Sequence, residues 1–279
     1  MATSQMTDLI HLIKSEASRL RDFMAGLDEA SWSARSACDG WQLRDVAAHL
    51  TASADTWAGV INRALAGDAD PPSGQSFLTP GDRGSEATAQ RAVELSHQLG
   101  EGLLDEFTAG YDRLFAVLDG LKAEDWEKPC FHRRGPMPMH DYVALRLQEL
   151  AMHGWDMRSG LDESAELYEE TLPTLLTLVP RWLGNAFTPG LGLPTPMRFR
   201  FEIPGPVAMR QDILVNHDSF ELQESGDSRA DVIVHCDTGS YILLIYGRFN
   251  LDWASVIGKA RIEGRREQAT IFTTWFRGF

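Results

Sequence analysis

Glu149 and His153 stand four residues apart in the segment Leu147-Gln-Glu-Leu-Ala-Met-His153. On a helix that spacing is about one turn, so a carboxylate and an imidazole point the same way. Together they are most of a ligand set for zinc or a similar divalent metal. Such a metal takes nitrogen, oxygen or sulfur donors, and in catalytic sites it keeps one position open. A third donor is His49, in Trp41-Gln-Leu-Arg-Asp-Val-Ala-Ala-His49-Leu50. The same spacing also describes an exposed helical ion pair, and a histidine beside an apolar stripe also describes a hydrogen-bonded residue at the core edge. The metal reading requires all three to meet.

Helices must position these groups. Leu9, Ile10, Leu12, Ile13, Ala17, Leu20 and Phe23 form a helical stripe. A second helix is expected over about 42–66, with Asp39 as its cap, and a third over about 89–120. A fourth runs over about 139–158, ending near Gly160. Loops are expected at 69–86 and 131–138. On a wheel of about 100° per residue, Glu149 and His153 fall just off one border of the stripe Val143, Leu147, Leu150, Gly154, Met157. His49 falls beside the stripe of Leu43, Leu50, Trp57 and Ile61. Such positions lie at the rim of a bundle core, where bundles build metal sites from facing helices.

Further helical pattern runs from 164 to 187, broken at Pro173 and Pro180. Thr188-Pro-Gly-Leu-Gly-Leu-Pro-Thr-Pro196 reads as a linker. After it the period becomes two: Met197, Phe199, Phe201 and Ile203 alternate with Arg198, Arg200 and Glu202, and Phe220 with Leu222 and Val232 with Val234 do likewise. Tyr241 to Tyr246 reads as a short helix, and 265–276 as a last one. The expected layout is an all-α four-helix bundle over 1–188 followed by a smaller α+β domain over 196–279.

The chain has 279 residues with 26 basic and 40 acidic side chains, a formal net charge of −14, which argues against nucleic acid or an anionic membrane as partner. A small anionic substrate stays compatible, because a local arginine can hold a carboxylate. Cys38, Cys130 and Cys236 are scattered, without a CxxC pair, so neither a disulfide framework nor a thiolate zinc site is supported. No secretory signal pattern or membrane-length apolar run is visible, so the expected location is cytoplasmic. His11, His97 and His217 look like surface positions, His132 and His140 flank a loop, and His235 alternates out of a strand. The cluster Lys259, Arg261, Arg265, Arg266 is interrupted by Glu263 and Glu267 and reads as a solvated face.

Asp39-Gly40-Trp41 leading to Asp45-Val-Ala-Ala-His49-Leu50, then Glu149-Leu-Ala-Met-His153-Gly-Trp-Asp156, resembles the DinB-like superfamily, in its mycothiol-dependent maleylpyruvate isomerase branch. The domain order fits as well, the second domain being similar to sterol-carrier-protein folds. The resemblance implies a divalent metal, usually zinc, on His49, Glu149 and His153, with mycothiol as the thiol cosubstrate. It implies either cis–trans isomerisation of an activated alkene acid such as maleylpyruvate or S-transfer to a small molecule. It also implies an arginine from the second domain, and Arg248 after the short helix is the choice. Helix-end exposure is the other reading of Arg248. Asp156 and Arg158 read as structural ion pairs, Asp156 also as an acceptor for His153 or His49. Two competing functions are a zinc-dependent hydrolase and a non-catalytic carrier with a deep apolar cavity in 197–279.

Overall fold

A computed structural model describes residues 3–78, 86–205, 208–248 and 250–278. It divides into two compact units, Met1–Thr171 and Leu172–Phe279. In the first unit α1 (Thr3–Ala25), a single-turn α2 (Glu29–Trp32), α3 (Leu43–Leu65), α4 (Glu86–Leu99), α5 (Leu103–Asp119) and α6 (Met139–Ser159) follow in order. Helices α1 and α3 each pack against both α5 and α6, which closes a four-helix bundle, while α4 lies on α3. The apolar spacing explains the contacts: Val46, Leu50, Ala54 and Ile61 of α3 are completely buried, as are Val143, Leu147 and Leu150 of α6.

Several boundaries differ from the sequence expectation. Gln42, not Asp39, caps α3, and its backbone N–H donates to Asp45 Oδ2 at 2.9 Å. The expected third helix is two helices, because Gly100 takes a φ of +51° and a single 3₁₀ turn at Gly100–Gly102 separates α4 from α5. β1 (Pro129–Cys130), just before the expected 131–138 loop, and β2 (Met137–Pro138), at its end, form a short antiparallel pair leading into α6.

In the second unit α7 (Leu172–Ala186) comes first, then β3 (Met197–Ile203), β4 (Met209–Asn216), β5 (Ser219–Glu224), β6 (Val232–Cys236), α8 (Thr238–Ile245), α9 (Leu251–Val256), β7 (Ala260–Gly264) and α10 (Arg266–Trp275). The sheet order is β5-β4-β3-β6-β7, parallel between β3 and β6 and antiparallel elsewhere. Helix α7 packs on α8, and Trp182 stacks on Tyr246 at 4.3 Å, so α7 belongs to this unit although the sequence reading assigned it to 1–188. Its start coincides with Pro173, which is tolerated in a first turn, and it continues through Pro180. Phe199 and Phe201 meet Phe272 across the core. On the other face Arg200 is buried and forks onto Asp212 at 2.7 and 2.8 Å.

Candidate metal centre

The structure brings His49, Glu149 and His153 together. The Nε2 of His49 lies 3.3 Å and that of His153 3.7 Å from Glu149 Oε2. One donor atom from each of the three falls within 4.8 Å of the others. Donors about 2.0–2.1 Å from a tetrahedral metal stand roughly 3.3–3.5 Å apart, and the two separations from Glu149, 3.3 and 3.7 Å, come close to that spacing. The side chains are 17%, 31% and 15% exposed, a bundle rim that is partly desolvated yet reachable.

The electrostatics suit cation binding. Burial pushes the His49 imidazole below its ordinary value, favouring the neutral ring that ligates metal. Burial alone would raise the Glu149 carboxyl. The bond to His49 and the charges of His153, His49 and Arg146 outweigh it and hold Glu149 well below the usual carboxylate range.

Asp156 orients His153. It is completely buried, and its Oδ2 accepts from His153 Nδ1 at 2.9 Å and from Cys38 Sγ at 3.1 Å. With the proton on Nδ1, the Nε2 lone pair faces Glu149 and His49. Arg158 does not pair with Asp156. It donates to Glu166 O at 2.9 Å and lies 4.5 Å over the Tyr168 ring.

The Asp39-Gly40-Trp41 segment forms a wall of the same site. Gly40 takes a φ of +77°, which glycine adopts at low cost, and the turn closes with Trp41 N–H donating to Cys38 O at 3.0 Å. Trp41 then lies 5.4 Å from the His49 ring and 6.3 Å from the His153 ring. The turn is fastened to α6 through Ala37 N–H, which donates to Asp156 O at 3.0 Å. At Gly160 a Cβ would stand 2.3 Å from Arg35 O, so only glycine lets this turn seat.

A model of the mycothiol maleylpyruvate isomerase N-terminal domain matches residues 13–158, which include every residue of this cluster. The chain belongs to the mycothiol maleylpyruvate isomerase family. Two solved structures are similar over most of its length: a mycothiol-dependent maleylpyruvate isomerase, at 16% identity and a TM-score of 0.63, and a histidine-to-alanine mutant form, at 15% and 0.62. Each covers 89% of this chain, which in turn covers 93% of each structure. At that identity the likeness shows the shared fold, a helical N-terminal region and a sheet-containing C-terminal one. No curated protein matches the chain.

Cys38 and Arg146 are the neighbours of the ligand set that sequence reasoning missed. Cys38 carried no ligand spacing in the chain and reaches the site through the Gly40 turn. Arg146 was not singled out in the sequence; its one signal there is its place three residues before Glu149. Cys130 and Cys236 are inert by contrast, burial pushing each thiol up to about 12. Arg248 lies in the second unit just after α8, half-buried, its backbone N–H donating to Leu243 O at 2.9 Å.

In that unit an open cleft of about 760 Å³ is lined by Glu202, Arg210, His235, Lys259 and Arg261 among others. Among the described residues no helix is long and apolar enough to cross a membrane.

Proposed function

We propose that the protein is a metal-dependent enzyme that uses a low-molecular-weight thiol, mycothiol, as nucleophile toward an activated alkene acid or another small electrophile. The observation that carries this reading is the convergence of two imidazole Nε2 atoms on one Glu149 carboxylate oxygen, at 3.3 and 3.7 Å, in a chain of this family. His49, Glu149 and His153 would hold the metal, zinc by the donor set. The finer assignment of the two units, a DinB-like bundle and a sterol-carrier-protein-like domain, is part of the same proposal.

The metal, when bound, supplies a Lewis acid that strips the thiol of its proton near neutral pH. The chain's own residues do the rest. Asp156 keeps the His153 proton on Nδ1, and Trp41 shields the two rings from bulk water. Arg248 is the proposed clamp for a substrate carboxylate, a guanidinium fork being suited to it. The thiolate sulfur adds to one alkene carbon, the C=C π pair moves onto the conjugated acceptor, and the new single bond rotates. Expulsion of the sulfur restores the double bond in the other geometry and returns the thiol. Where the adduct is kept and protonated, the same first step gives S-transfer.

Metal analysis of the wild type and of His153→Ala, with calorimetric titration of mycothiol, tests this reading. The wild type should carry about one divalent ion per chain and bind thiol only when loaded, and the variant should lose both. A wild type unable to take up zinc refutes the metal reading. Turnover that ignores added thiol favours metal-dependent hydrolysis instead. Arg248→Lys should raise KM for an acid substrate, and unchanged kinetics would remove Arg248 from the site.

A further inference from the structure

Beside the proposed ligand set lies a buried cation that has no part in holding the metal or the substrate in the roles above. Arg146 is 1% exposed and sits three residues before Glu149 on α6. Its Nη1 donates to Ser53 Oγ on α3 at 2.7 Å and its Nη2 to the Tyr111 hydroxyl on α5 at 2.5 Å. The guanidinium lies 5.5 Å from the centroids of the Trp57 and Tyr111 rings. Among the described residues its Nε is buried without a partner, and its hydrogen bonds go to hydroxyl groups, not to a carboxylate.

A buried charge held by neutral groups alone is costly, and an apolar side chain of similar volume is commonly tolerated or favoured in its place. The charge must therefore act at a distance. Its nearest formal counter-charge on the same helix face is Glu149, and its field bears on both Glu149 and His49.

We propose that Arg146 is a positioning residue that fixes one positive charge behind the ligand set, loosening the grip on the metal while tightening the grip on a sulfur anion at the open position. This rests on the metal reading above. Ser53, Tyr111 and Trp57, from two other helices of the bundle, hold the guanidinium in place, so the charge cannot swing out to solvent or onto the metal ligands. A site with one carboxylate and two neutral imidazoles already leaves a divalent ion one positive charge in excess. Arg146 adds a second, which favours a thiolate over the neutral thiol.

The test measures two affinities in Arg146→Met, Arg146→Gln and Arg146→Lys. Zinc affinity is read by competition with a chromophoric chelator, and thiocyanate affinity by visible absorption of the cobalt-loaded protein. In the two neutral variants zinc should bind about tenfold more tightly and thiocyanate about tenfold more weakly, the order expected for unit charges about a helical turn apart in a partly screened site. Lys should keep both values close to wild type. A merely structural role would weaken both affinities together, and that result overturns the proposal. If both neutral forms fail to fold, Arg146→Lys decides: retained affinities uphold the charge role, and a joint fall overturns it. A wild type that loads neither ion overturns the metal reading and this proposal with it. A wild type that loads, beside neutral variants that match it, overturns this proposal alone.

Discussion

Replacing Asp156 by Asn tests the proposed ligand set without touching a proposed ligand. The carboxylate is completely buried and accepts from His153 Nδ1 at 2.9 Å and Cys38 Sγ at 3.1 Å. Asn has nearly the same shape but no charge, and its amide N–H can face the imidazole and drive the proton from Nδ1 to Nε2. Partners that orient a metal-bound histidine are commonly worth 10–100-fold in metal affinity. At about 1.4 kcal/mol per tenfold that is roughly 1.4–2.8 kcal/mol, within the range of one hydrogen bond to a charged group. Zinc competition against a chelator should show the loss, and nitrogen NMR of the His153 ring should show the tautomer change. Cys38→Ala is the internal control: it removes a weak thiol donor to the same carboxylate, 3.7 Å from His153 Nδ1, and should cost less than about threefold. A folded Asp156→Asn protein that binds zinc like the wild type would refute the orienting role.

Three further outcomes are expected. Gly160→Ala should destabilise the first unit by about 1–3 kcal/mol in thermal unfolding, because its Cβ would stand 2.3 Å from Arg35 O; an unchanged Tm would mean the turn seats elsewhere. Burial raises the Glu16 carboxyl from 4.5 to about 7, so the folded state holds a proton that the unfolded chain releases, and stability should fall as pH rises through that window. Glu16→Gln should recover up to about 3 kcal/mol at pH 8 and nothing at pH 4, as read by denaturant melts. For Asp212, burial is outweighed by its bonds to Arg200, Ser225 and Arg198, which lower it to about 2. It should contribute about 2 kcal/mol above pH 4 that disappears as pH falls toward 2, and Asp212→Asn should flatten that acid limb.

The helices that carry the three proposed ligands were legible because their apolar spacing is regular, and so were the positions of His49, Glu149 and His153 along them. Helix α6 shows why the reading stopped there. Residues are buried nearly all around it, including Arg146, Gln148 and Asp156, so an amphipathic stripe describes only part of its surface. A buried arginine and an exposed one look alike in sequence. Cys38 escaped for another reason, since its place depends on a turn set by Gly40 and not on any periodicity. In the second unit the strands at β3, β5 and β6 alternate visibly. Strands β4 and β7, with irregular burial, do not, and helical pattern alone does not say which core α7 joins.

His49 and Glu149 are one hundred positions apart in the chain and 3.3 Å apart in the fold. An ion held between them is a removable cross-link, closing a loop that includes α4 and α5 and spans most of the first unit. Loop-closure entropy grows only slowly with length, so a clasp of this span stabilises chiefly by selecting the one folded arrangement that presents all its donors. Ligand-linked stability then follows the free ion concentration, rising by about 1.4 kcal/mol for each tenfold excess over the dissociation constant. With the proposed ion in place, the rim of the bundle would also act as a rivet through it, and withdrawing the metal should lower the thermal stability of the first unit.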